Sequence, residues 1–152
     1  MNPISYNLKR HVELLKFEEN ANSQENYLLT EEFLELCKYS AIVEAHILWL
    51  KRFEVISVMQ QFLNKEITAF EFHDRVFGLR RTHQIDSKNL ISKLASEEIK
   101  DFVPNPDSKK IDGFLSALYF ECEGFEVDGE EELFYNTIEN GFLRLKEVLN
   151  EK

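Results

Sequence analysis

Glycine and proline are scarce in this chain of 152 residues, at 5 and 3 copies. So few breakers leave little room for the tight turns of a many-stranded β fold, and they favour long helices. Cysteine occurs twice, at Cys37 and Cys122, with no spacing that suits a zinc or redox site. Two free thiols in helical segments point to a reducing compartment, the cytosol or an equivalent space such as a plastid stroma. No long apolar run exists. The longest, Ile47-Leu48-Trp49-Leu50, is far too short to span a bilayer, and the N-terminus MNPISYNLKR lacks the apolar core of a signal peptide. Positive charge is also short: 18 Lys and Arg stand against 28 Asp and Glu, a net charge of −10. That argues against a broad surface for DNA, RNA or an anionic membrane, because phosphate binding needs clustered cations.

Catalytic signatures are missing as well. There is no Gly-rich phosphate loop, no GxSxG and no HExxH. The residues three before His11, His46, His73 and His83 are Leu8, Val43, Phe70 and Arg80, so the Glu-x-x-His pairs of a helical di-iron site do not occur. Glu71, His73 and Asp74 are close in sequence, but positions two apart do not share a helix face. The expectation is therefore no enzyme, no cofactor and no metal.

What is present is a helical pattern. Apolar residues are 43% of the chain, with 13 Phe among them. Ile4, Leu8, Val12 and Leu15 recur at three to four residues and predict a first helix, followed by the polar stretch 20–26. Thr30 ahead of Glu31 and Glu32 reads as a helix start. From Ala41 to Leu63 no Gly or Pro intervenes, and Val43, Ile47, Leu50, Val55, Met59 and Phe62 predict a long central helix. Ser40 either caps it afresh or lies within a continuous helix. Thr68-Ala-Phe-Glu71 is a capping box, with Ile67 and Phe72 as a hydrophobic staple. That helix is expected to run to about Thr82, with Gly78 explained by a close neighbour. Asp86-Ser87 reads as a fresh start, and Pro104-Asn-Pro106 as a break. Ile111–Glu123 and Glu130–Leu149 complete the pattern. The predicted fold is all-α: one domain, 1–152, an antiparallel helical bundle of about five to seven helices.

Charge is unevenly spread. Residues Glu121 to Glu132 read ECEGFEVDGEEE, seven carboxylates without a Lys or Arg, anchored by Phe125 and Val127. The plain reading is a solvated face. The functional reading is an anchored patch that meets a basic protein surface. Conversely, Arg75, Arg80, Arg81, His83 and Lys88 form a basic island, expected to pair with acidic helices within the molecule or else to touch an acid or phosphate. The carboxylates beside Cys122 are expected to raise its thiol pKa.

Phe62-Leu-Asn-Lys-Glu-Ile-Thr-Ala-Phe-Glu-Phe72 resembles the short-turn signature of bacterial colicin D-type immunity proteins. There a helix ends in a Phe-containing turn, and a Thr- or Ser-capped helix begins with an acid and an aromatic. Phe114-Leu-Ser-Ala-Leu-Tyr-Phe-Glu121, the acidic connector and the helix start Glu131-Glu132-Leu133 are similar to the C-terminal half of that family's pattern. The resemblance spans about residues 56–149, and residues 1–40 look like an N-terminal helical extension. It implies an immunity-type inhibitor, a small helical bundle that binds the basic, tRNA-cleaving nuclease domain of a toxin and blocks its substrate site. The positions it carries over are Glu121, Glu123, Glu126 and Asp128. Glu130 and Glu131 either share that role or only favour the last helix through its dipole. The alternative is a helical adaptor that keeps the fold with a different partner. In neither reading does the chain bind nucleic acid directly or enter a membrane.

Overall fold

A computed structural model of the chain describes residues 5–21, 30–124 and 131–150. Among them are six α-helices and no strand: α1 (Leu8–Ala21), α2 (Glu31–Leu50), α3 (Arg52–Leu63), α4 (Ala69–Ala95), α5 (Phe114–Glu123) and α6 (Glu131–Asn150). A 3-10 turn, Pro106–Ile111, precedes α5. The fold is the expected all-α bundle. Helix α4 lies at its centre and packs on α1, α2, α3 and α5, while α6 closes against α3.

The main core gathers Leu48, Val55, Met59, Phe62, Phe72, Val76, Ile111, Leu115, Leu118, Phe134, Ile138 and Leu145. A smaller cluster of Leu14, Leu36 and Tyr39, with Tyr6, Leu15 and Ile42 against it, joins α1 to the first half of α2. The α1 face differs from the expected one. His11 and Leu14 are the fully buried residues, whereas Leu8, Val12 and Leu15 are half-buried.

Helix starts follow their local chemistry. Thr30 Oγ1 accepts from the Phe33 amide at 3.2 Å. Thr68 Oγ1 accepts from the Glu71 amide at 3.1 Å, and Glu71 accepts from the Thr68 amide at 3.2 Å, which closes the capping box. Ile67 and Phe72, the staple pair, both lie in the main core. Thr68→Ala removes one acceptor and is expected to lower stability by ~1 kcal/mol, measured by chemical denaturation. An unshifted midpoint would mean that the hydroxyl contributes nothing.

Helix α2 runs through Ser40, the second of the two expected alternatives, but two boundaries and one glycine depart from the expected pattern. The long helix expected from Ala41 to Leu63 is broken at Lys51. No Gly or Pro marks it. Arg52 makes it possible by donating to the freed Trp49 carbonyl at 2.7 Å while its guanidinium stacks over Trp49 and Phe53. Helix α4 continues through Asp86 and Ser87 for 27 residues. Asp86 is drawn to Lys51 Nζ at 2.8 Å and Ser87 is buried, so neither side chain caps a new helix. Gly78 has no close neighbour: a Cβ there would meet nothing within 4 Å. The proline-containing break is as expected. Asn105 caps the 3-10 turn by accepting from the Asp107 amide, and its own amide donates to His46 Nδ1 at 3.0 Å, which ties the turn to α2. Gly113, at φ 75°, takes the left-handed conformation that lets α5 begin.

Candidate acidic binding face

The six site residues expected from the sequence do not form one described patch. Glu126, Asp128 and Glu130 lie outside the described residues. Glu121 and Glu123 sit exposed on the last turn of α5. Glu123 is engaged locally, since the Tyr119 hydroxyl donates to it at 2.7 Å. That bond, with some burial, raises the Tyr119 pKa. Arg80 from α4 stacks over the same ring at 4.2 Å. Glu121 lies at the rim of an apolar cleft of about 380 Å³ between α5 and α6, floored by Met59, Leu118 and Ile138. Between the two carboxylates, Cys122 turns inward and is buried. Burial first, and the charge of Glu121 second, push its thiol up to about 12. The direction is the expected one, but the main cause is desolvation, and such a thiol is a poor nucleophile at neutral pH.

Glu131 occupies a different place. The first turn of α6 abuts the α3–α4 turn around a recess of about 750 Å³. Glu66, Glu71, Glu131 and Glu132 rim it, and Phe62, Ile67 and Tyr135 contribute its apolar lining. All four carboxylate residues are exposed. The turn is held by Tyr135, whose hydroxyl donates to the Leu63 carbonyl at 2.7 Å, and by Lys65 in the left-handed conformation at φ 62°. The Lys65 amide donates to Phe62 O and the Glu66 amide to Gln61 O, which satisfies the last carbonyls of α3 without a glycine. Both α4 and α6 begin at this rim. Their N-terminal dipoles favour the carboxylates placed there and limit the cost of gathering them.

Sequence reasoning named Glu131 but missed Glu66, Glu71 and Glu132 as partners in one face. Glu71 was visible only as a cap and Glu66 only as a helix end. Their proximity to Glu131 is tertiary, about 60 positions apart along the chain, and no spacing rule reports it. The segment 62–72 and the start Glu131-Glu132-Leu133, which carry the family resemblance, thus become spatial neighbours.

The rim is electrostatically one-sided. Among the described residues none of its four carboxylates enters an ion pair, and Lys65 is the one cation lining the recess. Nor is it a chelating site: among the described residues no group of three or more His, Cys, Asp or Glu could hold a metal ion. No described helix is long and apolar enough to cross a membrane. The histidines are dispersed. His11 is buried, His46 accepts from Asn105, His73 stands beside Asp74, and His83 Nε2 donates to the Glu44 carbonyl.

Among the described residues the basic island does not form the intramolecular ion pairs expected of it. Arg75 donates to Gln61, Arg80 stacks on Tyr119, and Arg81 and Lys88 make no polar contact among the described residues. None of the four forms an ion pair there.

No family model, curated protein or solved structure matches the chain.

Proposed function

We propose that this chain is an inhibitor of the immunity type, which binds the basic, tRNA-cleaving nuclease domain of a toxin through its acidic face and keeps substrate out. The observation that supports this most is the recess at the α3–α4 turn, where Glu66, Glu71, Glu131 and Glu132 stand around an apolar floor without an ion pair among the described residues, Glu71 also closing the capping box. Carboxylates so placed substitute for the phosphates that a nuclease groove is built to hold. The long-range field of a chain at −10 steers a basic partner toward them. Glu121 and Glu123, exposed at the end of α5, add to the negative field from a separate place. The fixed helix ends and the bonded Tyr135 hold the rim in place before binding, so less ordering entropy opposes association.

The test is binding of the purified chain to a basic, tRNA-cleaving nuclease domain, at low and at high salt. Replacing Glu66, Glu71, Glu131 and Glu132 with Gln should leave the fold intact, because like charges are removed and Gln at position 71 still serves the capping box. Association should slow by about tenfold or more at low salt, and the difference should shrink as salt rises. Unchanged affinity at both ionic strengths would remove this face from the interface.

A further inference from the structure

The outward side of α4 carries a second, opposite surface. Phe70, Phe77 and Ile85 are 55%, 46% and 50% exposed. With Arg81 and Lys88 they project from one face, since these positions fall within about a quarter-turn of each other at 3.6 residues per turn. The stripe from Phe70 to Lys88 runs for roughly 27 Å at the rise of an α-helix. Gly78 sits at its edge, about 20° beyond Ile85 around the helix, with open space where its side chain would be. A mid-helix glycine lowers helix propensity, and among the described residues nothing lies within 4 Å of where its Cβ would be, so the gap serves no described intramolecular contact. Arg81 and Lys88 remain without polar partners among the described residues, although the chain is rich in carboxylates. Beside the stripe, Arg80 and Phe77 meet the ring of Tyr119, which broadens the apolar strip toward α5. Asp74 is the one acid on this face of α4, and it stands beside His73.

We propose that this face of α4 docks an amphipathic helix from a partner protein, with its apolar seam on Phe70, Phe77 and Ile85 and its flanking carboxylates on Arg81 and Lys88. Charge decides the occupant. Two unpaired cations beside aromatic rings in an acidic molecule select an acidic helix over a basic one, and exposed Phe and Arg are residue types that anchor interfaces. Gly78 lets the incoming backbone approach closely, as small residues do where helices cross. The contact is small and therefore transient, below the size of a permanent interface. It adjoins the acidic recess only at the Phe70 end, between Ala69 and Glu71, and does not depend on the nuclease reading.

Two labelled peptides of about 20 residues with one shared leucine seam test this, one flanked by Glu and the other by Lys. Fluorescence anisotropy with the full chain at low salt should show the Glu peptide binding in the micromolar range and the Lys peptide about tenfold weaker or worse. The double variant Arg81→Glu, Lys88→Glu should reverse that preference. Gly78→Leu should weaken the Glu peptide while circular dichroism stays helical, since its side chain enters open space. Equal binding of both peptides, or binding indifferent to both sets of substitutions, would overturn the proposal. So would sedimentation showing a dimer that Phe77→Asp dissociates, because a second copy of this chain would then be the occupant.

Discussion

Truncating Phe72 to alanine is expected to cost the fold ~3–5 kcal/mol, the range for removing a fully enclosed aromatic ring. Phe72 has no exposed surface. Its ring stacks on Phe62 of α3 with centroids 4.6 Å apart, and Phe134 of α6 meets it at 6.1 Å. One side chain therefore joins three helices at the point where the acidic recess is built. The loss combines the transfer energy of the ring with an unfilled cavity, because α3, α4 and α6 are each held by other contacts and cannot all collapse inward. Against a total stability of about 5–15 kcal/mol, that is a large share. Chemical denaturation should show a lower midpoint with little change of slope. Phe72→Leu keeps most of the volume and should lose much less. A Phe72→Ala cost below about 1 kcal/mol would show that the three-helix junction packs differently. The same variant should loosen the rim of the recess, so any binding by Glu66 and Glu131 should weaken with it.

How much of this junction was legible in the sequence depends on the range of each signal. Thr68, Glu71, Ile67 and Phe72 act within one turn, and their roles could be read directly from spacing. The all-α class followed from the scarcity of breakers and the apolar periodicity. The break at Lys51 was not legible, because its cause is a side chain, Arg52, that takes a backbone carbonyl and stacks on two rings. Asp86-Ser87 gave a false start for the converse reason. A local capping preference lost to a tertiary ion pair with Lys51 and to burial of Ser87. The candidate site divides the same way. The acidic run ending in Glu132 is conspicuous in one dimension. That Glu66 and Glu71 complete its far end depends on how α6 docks against the α3–α4 turn, and this is set by core residues such as Phe62 and Phe134.

Acid should detach the N-terminal part of the molecule before it reaches the ordinary carboxylate range, and His11 is the reason. The imidazole is fully buried, stacks on Tyr39 and shares a hydrogen bond of 2.9 Å between Nδ1 and the Tyr6 hydroxyl. Its Nε2 has no hydrogen-bond partner among the described residues. Protonation would make both ring nitrogens donors inside an aromatic cage and leave one of them unsatisfied. Burial accordingly lowers its pKa from 6.5 to about 4. The unfolded chain thus binds a proton between these values that the fold refuses. Stability from this group is full above pH 6.5, declines as pH falls below it, and reaches its greatest loss near pH 4. Between pH 7 and pH 5 the loss amounts to about 2 kcal/mol. Facing groups modify this little in that window. Tyr6 and Tyr39 have raised pKa values and stay neutral. Arg10 holds Glu35 ionised at 2.7 Å, below its usual range, so that pair fails only in stronger acid. His46, half-buried and lowered by burial, adds a loss of the same sign. Denaturation midpoints at pH 7 and pH 5 for the wild type and for His11→Gln provide the measurement. The variant is expected to be less stable at pH 7 but to lose about 2 kcal/mol less on acidification. Amide exchange should place the early opening in α1 and the first half of α2, where the Leu14, Leu36 and Tyr39 cluster lies. Parallel pH profiles for the two proteins would show that His11 charges without cost, and its burial would then have no bearing on how firmly α1 is held.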